Sequence, residues 1–179
     1  MQGIASQLTP ADVEVLAAVI HETPRALGKR EGWSMQPHLD KPYAKLAEID
    51  KEDIRAAARR IPDVLALVGL GLRQGKDGAP AAVPKKEVTA QLEQNAEHLA
   101  EPEHDGWIEH RSRNGWRWAE TRDDARKLHP DMLPYAKLPE REKGKDSNTI
   151  RHYPDFAARL GFGSCRSDKA RSPGSLVVP

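Results

Sequence analysis

The chain has 179 residues, of which 38% are hydrophobic and 31% charged, and its formal net charge is +1 at pH 7. This length suits one medium domain or two small ones, and the charge is too small to favour nucleic acid or a membrane surface as a partner. Because Cys165 is the one cysteine, an intrachain disulfide is excluded. With no apolar leader and no long apolar run in the sequence, we expect a cytoplasmic protein.

Two helices are predicted in the first part of the chain. Thr9-Pro10 favours a helix start, and apolar residues then recur on one helical face: Val13, Leu16, Ala17 and Ile20. We expect Pro24 to end or kink this helix, because its ring removes a backbone hydrogen bond. Asp50 is the predicted cap of a second helix, which Pro62 then bends before an apolar end.

The second part of the chain is predicted to contain more, shorter elements. Thr89 caps a helix that continues to about Ala100, and Pro102 starts the next one. Three elements are predicted after it: an extended segment at residues 116–118, one or two helical turns at 122–128, and a helix at about 147–160 kinked at Pro154.

One pentapeptide occurs twice, as residues 42–46 and again as residues 134–138. The same shift of 92 positions aligns Pro62 with Pro154 and Gly69 with Gly161, whereas the segment upstream aligns at a shift of 83, matching Trp33 to Trp116. The second copy therefore carries an insert near residues 117–127. A repeat this long indicates one folded unit used twice.

We predict a mainly α fold with a few short β-strands, in which two pseudo-symmetric repeats pack as an intrachain pseudo-dimer, because each half alone would be marginally stable. The predicted division is a degenerate first repeat at 9–72, a Gly- and Pro-rich linker at 73–88, a second repeat at 89–163, and a flexible tail at 164–179.

The sequence lacks the usual signatures of an enzyme. It has no Gly-rich phosphate loop, GxSxG, HExxH or metal-ligand spacing of Cys and His, so we expect no catalytic residues, no metal and no cofactor. Asp123 and Asp124 could hold a divalent ion, although adjacent carboxylates are more typical of a helix start. A weaker alternative is an enzyme that uses His104 or His129 as a base.

Aromatic and basic side chains concentrate in the second copy, at His104, Trp107, Arg111, Trp116, Trp118 and Arg122. Trp107 and Arg111 are four residues apart and share a helix face, which suits a ligand with a stacking base and phosphates. The alternative is a core tryptophan with a cation–π contact. We favour that alternative for Trp116, since Trp33 repeats it, and ligand binding for Trp107, whose first-copy counterpart is Pro24.

Several motifs of the second half occur together in a known order: His104-Asp105-Gly106-Trp107, Asn114-Gly115-Trp116, Arg122-Asp123-Asp124, Lys127-Leu128-His129-Pro130 and Leu133-Pro134-Tyr135-Ala136-Lys137-Leu138-Pro139-Glu140. Together they resemble the RyR repeat, which is named for the ryanodine receptor and also occurs in small bacterial and phage proteins. The resemblance covers residues from near Glu101 to Phe162, and residues 12–72 resemble a degenerate copy.

This resemblance implies a helical, non-catalytic module, often paired in tandem, that binds adenine nucleotides in the cleft between repeats. By motif position, Trp107 would stack on the base and Arg111 and Arg122 would face phosphates or ribose. Four further residues would belong to the same site: His104 and Asp146, the first-copy counterpart His21, and Trp118, which replaces the family's usual tyrosine.

We therefore expect non-enzymatic binding of a small adenine-nucleotide-derived ligand, such as ADP-ribose or cyclic ADP-ribose. The protein would act as a sensor or a sequestering module in phage defence or counter-defence. The alternative is a protein–protein interaction module without a nucleotide ligand, in which the tryptophans anchor a partner and the C-terminal tail folds on contact.

Overall fold

A computed structural model describes residues 8–74 and 81–166, and over these ranges the fold is mainly α with a few short strands, as predicted. The helices are α1 Pro10–Glu31, α2 Glu48–Ala66, α3 Lys85–Arg113, α4 Glu140–Arg151 and α5 Tyr153–Arg159. The strands are β1 Leu70–Gln74, β2 Ala82–Val83, β3 Arg117–Trp118, β4 Leu128–His129 and β5 Phe162–Arg166. Within the described ranges, no helix is long and apolar enough to cross a membrane.

The predicted cap of α1 is confirmed, and of the two outcomes predicted for Pro24, an end or a kink, the end is wrong. Thr9 accepts from the Asp12 backbone N–H at 3.2 Å, and the Asp12 carboxylate accepts from the Thr9 N–H at 2.9 Å. The helix then continues through Pro24, and the Thr23 hydroxyl donates to the Val19 carbonyl at 2.8 Å one turn earlier. It ends at Gly32, whose φ of 78° and backbone hydrogen bond to Gly28 form a left-handed cap.

Several other predicted helix boundaries also differ from the structure. Residues 85–113 form one helix with Pro102 inside it, so the predicted break before Pro102 is wrong. In the first half, α2 begins at Glu48 and places Asp50 inside its first turn, not at the cap. Tertiary packing accounts for the continuous α3, whose buried stripe continues across the proline through Leu99, Glu103 and His104. The single helix predicted at about 147–160 is instead two helices, α4 and α5, which meet at His152 next to the predicted kink at Pro154.

Long-range strand pairing accounts for the errors at the linker and the tail. The central strand β5 pairs antiparallel with β1 on one side and with β2 on the other, so residues 73–74, 82–83 and 164–166 belong to a sheet. Cys165 is therefore buried in β5 and not in a tail. Residues 75–80 of the predicted linker and 167–179 of the predicted tail lie outside the described residues.

The segment predicted as helical turns at 122–128 forms a hairpin instead. Asp123 and Leu128 exchange backbone hydrogen bonds of 3.0 and 2.8 Å, and β4 then pairs parallel with β3. Lys127 closes the loop at a φ of 55°, a left-handed conformation that a non-glycine residue adopts at some cost. The insert of the second copy is thus a small β-structure attached to the end of α3.

Most of the core lies between α1, α2, α3 and α5 and the sheet. Its largest fully buried side chains include Leu16, Ile61, Leu65, Leu92, Leu99, Ile150 and Tyr153. The burial of Leu92, Ala96 and Leu99 on one face of α3 confirms the predicted stripe. This core joins the two halves of the chain, because its members come from both.

The two halves repeat several contacts. His21 Nε2 lies 2.8 Å from the Lys41 carbonyl, and His104 Nε2 lies 2.8 Å from the Leu133 carbonyl. Each histidine ring also contacts the tyrosine of its pentapeptide, at 6.2 and 6.0 Å between ring centroids. At the centre of the β1–β5 ladder, Leu72 faces Ser164, its counterpart 92 positions later. A pseudo-two-fold axis would produce these pairings, and the pseudo-symmetry itself stays a prediction.

Candidate ligand-binding cavity

A cavity of about 630 Å³ lies between the first half and the end of α3. Its apolar lining comes from the first half: Ile20, Pro24, Met35, Leu39, Ile49 and Ile54. Its charged lining is Asp50, Asp53, Arg111, Arg122, Asp124 and Lys127, and His21, His38, Trp116 and Thr149 complete it. The volume falls within the range of about 300–1,000 Å³ that is typical of small-molecule sites.

Arg111 is the most enclosed cation of this cavity, with a side chain only 13% exposed. It projects from the last turn of α3, and one terminal nitrogen lies 2.8 Å from Asp53 Oδ2. Its guanidinium carbon lies 4.2 Å from the centre of the Trp116 ring and 5.5 Å from that of Trp107. Burial lowers the pKa of Arg111, and the Asp53 carboxylate opposes that effect. The cation is thus fixed by an ion pair and two rings.

Trp116 lines the cavity although its side chain is buried, with 8% exposed. Gly115, at a φ of 82°, turns the chain after α3 so that the Trp116 backbone N–H donates to the Arg111 carbonyl at 3.0 Å. The expectation that Trp116 belongs to the core therefore describes its burial but misses its position. The sequence does contain a signal for this position at the cavity, because Trp116 follows Arg111 by five residues across a turn at Gly115.

The hairpin loop contributes the outer charged side chains. Arg122 donates to both oxygens of Asp124, at 2.6 and 3.1 Å, and these hydrogen bonds hold the pKa of Asp124 below its ordinary value. His38 Nε2, from the first half, lies 3.3 Å from Asp124 Oδ2. Lys127 Nζ donates to the Asn114 carbonyl at 2.8 Å, at the C-terminal end of α3. Charged contacts therefore bridge the insert to both α3 and the first half.

Two carboxylates of α2 face the cavity and differ in their contacts. Both oxygens of Asp53 are used, one 2.9 Å from His110 Nε2 and the other 2.8 Å from Arg111. Asp50, one turn earlier on the same face, has His38 Nε2 at 4.0 Å as its neighbour. Sequence reasoning missed both aspartates, because a first-turn acid is an ordinary feature of helices.

The cavity brings together three of the seven residues predicted for the site: Arg111, Arg122 and His21. The other four lie elsewhere in the described ranges: His104, Trp107, Trp118 and Asp146 are not among the residues that line it. His104 is 3% exposed and its Nδ1 lies 3.3 Å from Asp146. Burial opposes its charged form, but the Asp146 carboxylate and the Leu133 carbonyl raise the pKa of His104 above its ordinary value. The two residues form a packed pair.

Trp107 is held by two histidine rings. It stacks on His104 at 5.5 Å and meets His129 edge-on at 5.1 Å between centroids. Burial, with the nearby Arg122 and Arg111 charges, lowers the pKa of His129 to about 4. The neutral ring is used structurally, since its Nδ1 accepts from the Asp131 N–H at 3.1 Å. Trp118, by contrast, is 53% exposed on β3.

Within residues 8–74 and 81–166, no group of three or more His, Cys, Asp or Glu side chains is placed to hold a metal ion. The arrangement instead offers a mixed binding surface. The second half supplies Arg111, Arg122 and Lys127 together with Asp124, and the first half supplies Asp50, Asp53 and the apolar side chains. Such a cavity suits a ligand that carries anionic, polar and ring-shaped parts together.

Residues 78–163 match the family model of the RyR domain. The matched range contains α3, the hairpin insert, α4 and α5, and it includes the whole segment from Glu101 to Phe162 on which the resemblance was identified. Arg111, Trp116, Arg122 and Lys127, which form the cationic side of the cavity, all lie within this range. The chain therefore contains an RyR-type domain at residues 78–163.

Proposed function

We propose that this protein binds a small adenine-nucleotide-derived ligand of the ADP-ribose or cyclic ADP-ribose type in the cavity between its halves, without turnover. The protein would report the level of that ligand or sequester it. The observation that carries the proposal is a cavity of about 630 Å³ in which Arg111, Arg122 and Lys127 share a side with the Trp116 ring. The role in phage defence or counter-defence belongs to the same proposal through the family resemblance.

The Trp116–Arg111 pair is the proposed position for the base. The Arg111 guanidinium carbon lies 4.2 Å from the centre of the indole ring, and a purine can stack on a guanidinium as it does on an aromatic side chain. Arg111 keeps its charge partner Asp53 in this arrangement and need not move. Pre-organisation of this kind lowers the entropic cost of binding.

Arg122 and Lys127 are the proposed phosphate contacts. Arg122 is 30% exposed and uses Nε and one terminal nitrogen on Asp124, which leaves its second terminal nitrogen for a ligand anion. The left-handed backbone of Lys127 supports a functional reading, since such strained conformations cluster at ligand sites. Trp107 keeps an indirect role in the proposal, because its ring centre lies 5.5 Å from the Arg111 guanidinium carbon.

We also infer that the first half is a degenerate copy of the RyR-type domain. The matched histidine–carbonyl and histidine–tyrosine contacts of the two halves support this inference, as does the pairing of Leu72 with Ser164. In this arrangement the degenerate copy supplies the apolar and acidic side of the cavity and the intact copy supplies the cations.

Titration calorimetry with AMP, NAD, ADP-ribose and cyclic ADP-ribose tests the proposal. We expect saturable binding of at least one nucleotide, and at least tenfold weaker binding by Arg122→Gln, because a hydrogen bond to a charged group contributes about 1.5–3 kcal/mol. Arg126→Gln is the matched control, since Arg126 is exposed in the same hairpin loop and does not line the cavity. Absence of binding by all four nucleotides would contradict the proposal.

A second candidate is a protein–protein interaction module, and the exposure of Trp118 favours it. The 53% exposed indole is the kind of anchor that partners bury at the centre of an interface. If this candidate is correct, no nucleotide binds, and Trp118→Ala weakens a complex with a protein partner without changing the thermal stability of the free chain.

A further inference from the structure

Asp50 and Asp53 project into the same cavity from neighbouring turns of α2, but only Asp53 is engaged with the second half. Its two oxygens are occupied by His110 and Arg111, at 2.9 and 2.8 Å. Within the described ranges, the Asp50 carboxylate makes no hydrogen bond, and its Oδ1 lies 4.0 Å from His38 Nε2. Asp53 therefore joins the two halves, whereas Asp50 is an acceptor that the fold itself does not use.

Asp50 is also largely enclosed. Its side chain is 18% exposed, and it lines the same cavity as the cations of the second half. A partly buried carboxylate gains stability from each hydrogen bond that it accepts, because a hydrogen bond to a charged group is stronger than one to a neutral group. A ligand could supply hydroxyl or amine donors at this position.

We propose that Asp50 accepts hydrogen bonds from the vicinal hydroxyls of a ribose, so that the cavity selects ribonucleotides over their deoxy forms and over simple polyphosphates. This inference rests on the proposed function. An ionised carboxylate offers two acceptor oxygens side by side, and a cis-diol presents two donors at matching spacing. Dinucleotide-binding folds use an acidic side chain in the same way to recognise a ribose hydroxyl.

The arrangement of the cavity fits such a ligand. Arg122 and Lys127 on the second half attract phosphates, while Asp50 on the first half repels them and attracts hydroxyls. Inorganic pyrophosphate can pair with the cations, but its remaining negative charge is repelled by the Asp50 carboxylate. A ribonucleotide satisfies both sides and thereby links the halves through its own polar groups.

The test uses ADP-ribose, its two analogues that each lack the 2′-hydroxyl of one ribose, and inorganic pyrophosphate, titrated into the full chain. For the unmodified chain we expect ADP-ribose to bind about tenfold more tightly than at least one analogue, since the lost contact is to a charged acceptor. Asp50→Asn should bind ADP-ribose with that weaker affinity and no longer distinguish the analogue. The same variant should bind pyrophosphate more tightly.

Asp63→Asn is the matched control, because Asp63 is an exposed acid on the same helix. We expect it to leave every affinity unchanged, and thermal melting of both variants separates a folding defect from a binding defect. If the unmodified chain binds all three ADP-ribose compounds equally, or if Asp50→Asn retains the discrimination, the role of Asp50 is wrong while nucleotide binding stands. If no compound binds the unmodified chain, both proposals fail.

Discussion

The tryptophans that follow α1 and α3 show how one scaffold gives two different helix ends. Trp33 packs directly on Gly28, so closely that a Cβ at Gly28 would lie 2.6 Å from the Trp33 carbonyl and 2.9 Å from its ring. In the second copy, Arg111 occupies the position that matches Gly28. Its guanidinium carbon lies 4.2 Å from the ring centre of Trp116, the counterpart of Trp33. A glycine lets the ring settle against the helix, whereas an arginine places a charge beside it.

The helix face one turn earlier differs in the same way. In the second copy this position is Trp107, whose ring packs between two histidine rings. In the first copy it is Pro24, which forms part of the apolar lining of the cavity. Under the proposed function, the second half would supply most of the binding contacts and the first half a supporting surface. Each of the following predictions tests a contact that differs between the halves.

The largest effect is expected at the ion pair between Arg60 and Glu103, which joins α2 to α3. Arg60 donates to both Glu103 oxygens, at 3.1 and 2.8 Å, and the Glu103 side chain is 6% exposed. Arg60→Ala should lower the free energy of unfolding by about 3 kcal/mol, because it leaves a buried carboxylate without its cation. Urea denaturation measures this loss.

The exposed neighbour Arg59 provides the control for that experiment. It pairs with Glu52 at 2.6 Å while 51% exposed, so Arg59→Ala should cost less than about 1 kcal/mol. Equal losses for the two variants would show that the Arg60 pair does not join the halves. The matching positions in the chain, Ile20 and His152, cannot form such a pair, so this contact is specific to one side of the molecule.

A comparable or smaller effect, at most about 3 kcal/mol, is expected from pH through His129. Its folded pKa of about 4 lies below the ordinary 6.5, so between these values the unfolded chain binds the proton and the folded chain does not. Stability contributed by the neutral ring is present above pH 6.5 and is lost as the pH falls toward 4, at up to about 1.4 kcal/mol per pH unit.

Denaturation at several pH values between 4 and 7 measures that loss. His129→Gln should flatten this part of the pH profile whatever its effect on stability at pH 7. His152→Gln is the control, because His152 is 44% exposed. A pH profile that is unchanged in His129→Gln would mean that the ring is not buried in its neutral form.

The smallest effect tests the packing of Trp33 on Gly28. Gly28→Ala should lower the free energy of unfolding by about 1–2 kcal/mol, because the added methyl group meets the Trp33 carbonyl oxygen and two carbons of its ring. Gly144→Ala, in α4, is the control: a Cβ there meets no heavy atom within 4 Å, so the change should stabilise the chain by about 0.5 kcal/mol. A neutral Gly28→Ala would show that Trp33 is free to move away.

Much of the fold could be predicted from the sequence because its signals are local. The cap at Thr9, the stripe of α3 and the strand at Trp118 follow from short-range patterns. The predicted helix end at Pro24 and the predicted break before Pro102 are wrong because α1 continues through Pro24 and α3 continues through Pro102, where tertiary packing outweighs the local preference. The pairing of β1 with β5 joins residues more than ninety positions apart, which no local pattern reveals.

Part of the candidate site could be predicted from the sequence, including His21 of the first half. Arg111 and Arg122 line the cavity as expected from their motifs. Asp50, Asp53 and His38 were missed, because they reach the cavity only through the packing of the first half against the second. The four-residue spacing of Trp107 and Arg111 places them on one helix face, and this is why the sequence predicts stacking on Trp107. That spacing does not determine which tryptophan lines the cavity, and in the structure it is Trp116.

Titration of ADP-ribose into the unmodified chain and into Arg111→Gln tests the central claim most directly, with Arg113→Gln as the control, since Arg113 is an exposed cation on the same helix turn. The account predicts saturable binding to the unmodified chain and to Arg113→Gln, and at least tenfold weaker binding to Arg111→Gln. Equal affinities for all three proteins would contradict it, because the ligand would then bind without the cation that distinguishes the second half from the first.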